Sequence, residues 1–444
     1  MKKYLFISLA AIVAVGSVAA IATRDTRPVL KVANWAEYID GGDEDSELIH
    51  EFEAWYKEQT GKEIRVEYCI ADDNETLYNM IKMGDHFDLI CPSEYMIMKL
   101  VAENRLQKLP NTFYDASLEH NYYAKFVSPY IDRTFSTNYI NGESWKEYAA
   151  GYMWGTTGFV YNPDVVDKAD VTTWKAFTNP KYAKKITAKN NIRDTYFVGL
   201  AMYYEEELLS LKAKYEANQL SLADYQTRLG ELMNDTSPET MNAVKKLLKS
   251  MRDNLYGFET DEGKNDTIAG KITVNYQWSG DAVYILDYSE GATDEIELEN
   301  PVYLNYAIPE SVSNLWFDGW VLPKDCKDVE AATMFINFLS MPENAVRNME
   351  YIGYTSCIGG EYVFENYVLP YYEAEDGDET AVTYDLSYYF GDGFSIQTPS
   401  EQLERQLFAQ YPLEDTLAHC VAMQYFDRDA NTRANLMWSD ITFF

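Results

Sequence analysis

The sequence predicts a two-lobe α/β protein, each lobe a mostly parallel sheet flanked by helices. Three observations carry this. The chain has 444 residues, too many for one comfortable core and well suited to two lobes. From Val29 to Glu103 its apolar runs alternate between strand and helix periods in a βαβαβα rhythm, which implies parallel strands joined by helical crossovers. The pattern then shifts after about residue 150, where a second set of strands and helices begins.

The elements follow in order. A strand over 29–33 ends at Asn34-Trp35-Ala36-Glu37-Tyr38. A helix fits 46–60, with Ser46 as N-cap, Leu48, Ile49, Phe52, Trp55 and Tyr56 at helical spacing, and Gly61 as C-cap. A strand over 63–70, a helix over 74–83, a strand over 87–91 closed by Pro92-Ser93, and a helix over 96–103 complete the first set. In the second set a strand over 152–161 carries Gly155 and Gly158. A short helix at 174–178 and a strand over 185–188 follow, the strand ending at Asn190-Asn191-Ile192-Arg193-Asp194. A helix then runs through Tyr203. Residues 203–233 suit a helical hairpin, with Leu208, Leu209, Leu211, Tyr215, Leu220, Tyr225, Leu229 and Leu232 as its apolar positions. Further helices fit 240–255 and 330–339. A strand over 272–278 ends at Trp278-Ser279-Gly280-Asp281, and 316–322 is another apolar stretch, with Asp318 near its start. The acidic, Gly-rich residues 373–400 read as a surface loop insertion, and 403–444 as mainly helical. No internal repeat is present.

The N-terminus reads as a targeting segment. Lys2 and Lys3 precede an apolar run over 4–22, Ala20-Ile21-Ala22 has the small-x-small form of a cleavage site, and polar Thr23-Arg24-Asp25 follows. The competing reading is an uncleaved membrane anchor, since roughly 19 residues is about the least that spans a bilayer. No Cys near the run supports lipid attachment. The rest of the chain is expected in the periplasm or otherwise beyond the cytoplasmic membrane.

The formal net charge of −34 repels nucleic acid and anionic lipid, because both are polyanions. The five Cys (Cys69, Cys91, Cys326, Cys357, Cys420) form no CxxC or Cys/His cluster, so no zinc site is expected. Export permits one or two disulfides, and the odd number leaves at least one thiol over. Catalysis has little support. His50, His86, His120 and His419 belong to no HExxH pair, and no GxSxG elbow, GxGxxG turn or P-loop occurs. The chain is read as a non-enzyme with no catalytic residue, metal or cofactor.

A cation site has better support. A protonated amine is costly to bury unless carboxylates replace its water. Aromatic faces attract ammonium and pack on methylenes. Ligands of open α/β sheets sit at the carboxyl ends of strands. At those ends the sequence places Trp35 with Glu37 and Tyr38, Ser93 with Tyr95, Asp194, Trp278 with Asp281, and Trp316 with Asp318. The plain reading of any one Trp is core packing, but an acid two or three residues after a Trp recurs here.

The stretches Asn34-Trp35-Ala36-Glu37-Tyr38, Tyr78…Phe87-Asp88-Leu89-Ile90-Cys91-Pro92-Ser93-Glu94-Tyr95, Met153-Trp154-Gly155-Thr156-Thr157-Gly158, Trp278-Ser279-Gly280-Asp281-Ala282, Trp316-Phe317-Asp318 and Ile352-Gly353-Tyr354 resemble the periplasmic spermidine/putrescine-binding proteins of ABC transporters. The likeness runs in order from about residue 29 to 360, and more weakly to the end. It implies the two-lobe, hinge-closing periplasmic-binding-protein fold, a polyamine ligand, docking on ABC permease subunits, and a monomer. Lobe 1 would comprise 28–150 and 314–362, and lobe 2 would comprise 151–313 and 363–444. By this resemblance Trp35, Trp278 and Trp316 flank the methylene chain, Tyr38, Tyr95 and Tyr354 wall the cleft, and Glu37, Asp194, Asp281 and Asp318 pair with amines. Ser93 offers a hydroxyl or backbone contact. Ala36 stands where relatives usually have Ser or Thr, and Asn191 where some have Asp. Asp281 resembles the putrescine-preferring relatives, so the reading leans to putrescine over spermidine. The competing readings are a sensor presenting an organic cation to a receptor, and transport of another cation. Carboxylates with ordinary pKa values would release their ligand well below pH 4.

Overall fold

The structure is a computed structural model of the chain that describes residues 25–42, 46–260, 262–291 and 301–442. The N-terminal run read as a leader or anchor lies outside the described residues. Among the described residues no helix is long and apolar enough to cross a membrane.

The architecture depends on two long strands, Ala149–Tyr161 and Ser313–Pro323, both buried along their whole length. Strands covered on both faces read as near-continuous apolar runs rather than alternating ones, which is how both segments look. They pair antiparallel from Leu315 opposite Thr156 to Val321 opposite Ala149. Each then reaches into a different half of the sheet. Val321 pairs with Ile90, whose strand continues in parallel through Val29–Asn34 to Arg65–Ile70. At the other end Thr157–Tyr161 pairs antiparallel with Val274–Trp278, which continues in parallel through Ile186–Lys189 to Gly257–Glu259. The outer strands of each half are thus parallel, and the central ones antiparallel.

Helices cover these strands in the expected order. Glu47–Thr60 buries Leu48, Ile49, Phe52 and Tyr56 and ends on Gly61 at φ 71°, a left-handed cap that glycine adopts without a Cβ penalty. Ile192–Tyr203 is capped by the Asn191 side chain, which accepts the Asp194 N–H. Residues 203–233 contain the helices Glu205–Glu216 and Leu222–Met233, with the Tyr225 ring stacked on Tyr215 at 4.8 Å. Cys91, Cys357 and Cys420 are buried free thiols.

Two local readings are corrected. Residues 373–400 are not a loop: Ala381–Asp385 and Ser395–Pro399 pair as an antiparallel hairpin around the short helix Ser387–Phe390. Tyr384, Leu386, Tyr389, Phe390 and Ile396 are buried. The acidic and glycine residues that suggested a loop lie at its turns, while the apolar positions between them face inward. The C-terminal stretch is helical mainly in Arg428–Thr442. Before it, Gln406–Gln410 and Glu414–Leu417 are single short turns and Cys420–Val421 is a strand beside Ser313.

The hairpin ties into the central strands. Trp154 stacks on Tyr389 at 5.5 Å and donates its indole N–H to the Tyr389 hydroxyl at 3.2 Å. Tyr389→Ala is expected to destabilise the protein by about 3–5 kcal/mol, the cost of deleting a large buried aromatic. Denaturant unfolding measures it, and a loss below about 1 kcal/mol would show that the hairpin is a surface ornament.

Candidate ligand-binding cleft

The carboxyl ends of the parallel strands supply the first part of the site. Val29–Asn34 leads into Trp35–Tyr38, and Leu89–Ile90 leads into Ser93 and the helix Glu94–Ala102. The crossing strands add Asp318. Ser93 forms an antiparallel bridge with Asp318, and the pairing with Ala149–Tyr161 slips by one residue between Asp318 and Gly319. Such a bulge re-aims side chains locally.

Asp318 is buried. Its Oδ2 accepts a hydrogen bond from the Tyr38 hydroxyl at 2.8 Å, while its Oδ1 has no partner among the described residues. Ser93 and Trp35 add polar support, and no basic side chain pairs with it among the described residues. Burial pushes its pKa up to about 6 against those neutral donors. Beside it Glu94 is also buried. Its Oε2 accepts the Phe317 N–H at 3.2 Å, and burial, reinforced by the Asp318 charge, pushes it up to about 8. Burial thus disfavours the charged form of both carboxyls, and the Asp318 charge adds to the effect on Glu94.

The other half of the sheet supplies a second group, again at carboxyl ends. Lys189 and Glu259 are paired neighbours on Ile186–Lys189 and Gly257–Glu259, and Trp278 ends the next strand. Lys189 Nζ lies 3.5 Å from both the Glu259 and Asp281 carboxylates and 4.1 Å from the Trp278 ring centre. Lys264 Nζ also stands 3.5 Å from Asp281. Asp194 is held by neutral groups: Trp278 Nε1 donates to it at 3.3 Å, and the Asn191 amide donates to its other oxygen. Burial raises the Asp194 pKa, with Lys189 and Arg193 opposing. Asn191 thus serves as a helix cap that also orients Asp194.

Two contacts join the groups. Tyr354 lies edge-on to Tyr38 at 5.6 Å and 5.3 Å from Trp316, and donates its hydroxyl to Asp281 at 3.2 Å. Gly280 makes this possible, because a Cβ there would fall 1.4 Å from the Tyr354 ring. Arg193 lies 4.3 Å from the Tyr95 ring centre and 3.7 Å from Phe426, and the Tyr95 hydroxyl faces Glu75 at 3.4 Å. Trp316 packs over Gly155 and donates its indole N–H to the Thr156 carbonyl at 3.2 Å.

Of the residues singled out from sequence, Trp35, Tyr38, Ser93, Asp194, Trp278, Asp281, Trp316, Asp318 and Tyr354 form one linked set, and Tyr95 joins it through Arg193. Glu37 does not. It is exposed in a left-handed turn at φ 53°, with no hydrogen bond or ion pair among the described residues. Glu94, Glu259, Lys189, Lys264 and Arg193 were missed. A search for acids and aromatics passes over basic side chains. The available signal was position alone: Lys189 immediately follows a predicted strand, and Arg193 lies beside Asp194.

Folding raises the Asp318 pKa from 3.8 to about 6, so the ionised carboxylate opposes folding. The penalty is complete above the folded value and gone below the unfolded one. Asp318→Asn is therefore expected to stabilise the ligand-free protein at pH 7 by about 1–3 kcal/mol, with the gain shrinking as pH falls towards 4. Chemical denaturation at both pH values measures this. A variant less stable than wild type at pH 7 would contradict an unpaired buried charge.

Comparison with known proteins agrees with this fold. The family described as bacterial extracellular solute-binding protein matches residues 47–360. The chain is 26% identical over 357 residues to the spermidine/putrescine-binding periplasmic protein of Escherichia coli strain K12, covering 80% of this chain and 84% of that one. It is 28% identical over 350 residues to a putrescine-binding periplasmic protein of Pseudomonas aeruginosa strain UCBPP-PA14, covering 77% and 82%. The solved structure of the spermidine/putrescine ABC transporter substrate-binding protein of Streptococcus pneumoniae is similar with a TM-score of 0.59 at 25% identity, covering 94% of this chain and 99% of that one. With residues 47–360 matched by the family, the protein belongs to the bacterial extracellular solute-binding proteins, which bind a solute outside the cytoplasm rather than transform it.

Proposed function

We propose that this chain is the substrate-binding component of a polyamine ABC transporter and that its preferred ligand is a short diamine such as putrescine. The observation that carries the reading is Asp318, a buried carboxylate supported only by neutral donors and walled by Trp35, Tyr38, Trp316 and Tyr354. An ammonium supplies the missing counter-charge and the missing hydrogen-bond donor for Oδ1 together. A second ammonium goes to Asp194 beside Trp278, and the aromatic faces pack on the methylenes between. Ser93 and Tyr95 complete the lining of this cleft. The relatives named above as spermidine/putrescine-binding and putrescine-binding proteins support the ligand class.

Each half of the sheet contributes one group of carboxylates, so a ligand that bridges them favours the closed arrangement over any open one. The closed form then docks on permease subunits. The N-terminal run directs export and, if retained, tethers the protein to the membrane.

Calorimetric titration with putrescine tests the reading. Wild type is expected to bind, and Asp318→Asn to bind at least about tenfold more weakly, or about 1.4 kcal/mol. No binding of any polyamine to wild type would overturn the proposal. The acid limit also moves from the one that ordinary carboxylates imply. Because the free Asp318 carboxyl titrates at about 6, binding below that pH must displace a proton. The affinity is expected to fall by roughly tenfold per pH unit as pH drops from 6, and an affinity unchanged from pH 7 to 5 would remove Asp318 from the site.

A further inference from the structure

The second carboxylate group already holds a cation. Lys189 is almost wholly enclosed, with a side-chain exposure of 1%. Its ammonium has what a bound amine needs. The Glu259 and Asp281 carboxylates stand at 3.5 Å, the Thr260 carbonyl accepts from it at 3.1 Å, and the Trp278 indole face lies at 4.1 Å. Two carboxylates, a carbonyl and an aromatic face are the same chemistry that the cleft offers a ligand. Lys189 reaches this position because its strand ends there, in register with Glu259, and not because a surface lysine has folded inward. Asp281 is further neutralised by Lys264 at 3.5 Å. The two ends of the site therefore differ: Asp318 has neutral partners only, whereas Asp281 and Glu259 face ammonium groups of the protein.

We propose that the Lys189 ammonium is a tethered occupant of one amine subsite, so that the cleft accepts a ligand with two charged amines and rejects one with three. This rests on the polyamine reading above. A third ligand ammonium directed at Asp281 and Glu259 meets a like charge that cannot leave, whereas a diamine ends before it, on Asp194. Lys189 thus sets ligand length by electrostatic exclusion, and the same position with a neutral side chain opens a third subsite. A buried lysine kept for structure alone would lower overall stability when removed, but it would not change the ranking of ligands.

The test is calorimetric titration of wild type, Lys189→Met and Lys189→Arg with putrescine and with spermidine. Wild type is expected to bind putrescine at least tenfold more tightly than spermidine. In Lys189→Met the ratio of the two dissociation constants shifts by at least tenfold towards spermidine, and Lys189→Arg restores the wild-type ranking. Removing Lys189 alone leaves Glu259 buried without its partner, so the double variant Lys189→Met/Glu259→Gln carries the measurement if the single variant fails to fold. A wild type that binds spermidine more tightly than putrescine overturns the inference without any variant. So does a ratio within threefold of wild type in the folded variants. In both cases the polyamine reading survives, whereas a wild type that binds neither ligand removes that reading and this inference together.

Discussion

The structure is organised around the buried carboxylate of Asp318, placed where two long strands cross between the halves of one sheet. Those strands are covered along their whole length, so any polar group they carry at the crossing loses its water. A carboxylate in such a place is costly unless something charged comes to it. The surrounding residues do not remove the cost. Tyr38 donates one hydrogen bond, one oxygen is left without a partner, and neighbouring Glu94 is itself driven towards its neutral form. A core built only for stability would pair or replace this group. A buried carboxylate left in this state is a local departure from that rule, and the proposed ligand-binding role rests on it.

The electrostatics of the two ends are unequal, and pairing rather than the number of acids produces the difference. The formal charge of −34 is spread over a solvated surface where each acid interacts weakly. Inside, Asp281 and Glu259 are faced by Lys189, while Asp318 and Asp194 are held by hydroxyl, indole and amide groups. Acids equally acidic in composition thus divide into those already neutralised by the protein and those still available to a cation.

The tyrosine excess has mostly a packing origin. Of the 37 Tyr, many are fully buried, including Tyr56, Tyr123, Tyr161, Tyr196, Tyr276 and Tyr389. Buried tyrosine needs a partner for its hydroxyl, and main-chain carbonyls supply it: Tyr114 donates to Ala149, Tyr152 to Tyr38, Tyr196 to Asp235 and Tyr384 to Tyr411. The bond from Tyr152 to the Tyr38 carbonyl also steadies the turn that aims Tyr38 at Asp318. Of the tyrosines, Tyr38, Tyr95 and Tyr354 are the ones proposed to wall the cleft.

Much of this was legible in the residues. Apolar periodicity located the helices over Glu47–Thr60 and Asn74–Met83 and the outer strands, because burying one face imposes a local repeat that the chain carries wherever it goes. The carboxyl-end rule then assembled Trp35, Tyr38, Ser93 and Trp278 from segments far apart, whereas Asp318, expected at a strand end, lies in the middle of Ser313–Pro323. The hairpin at 381–399 was hidden because charge at its turns outweighed the apolar positions between them. Glu37 and Asp281 could not be told apart from Asp318 as acids beside aromatics. Whether an acid is exposed like Glu37, matched by a lysine like Asp281, or left unmatched like Asp318 depends on which distant side chains surround it and how much water they exclude. Desolvation and charge pairing are properties of the packed tertiary structure. The sequence alone determined where the outer strands end and which residue types gather there, and only the fold decided which of those charges the protein pairs with a lysine and which it leaves among neutral donors.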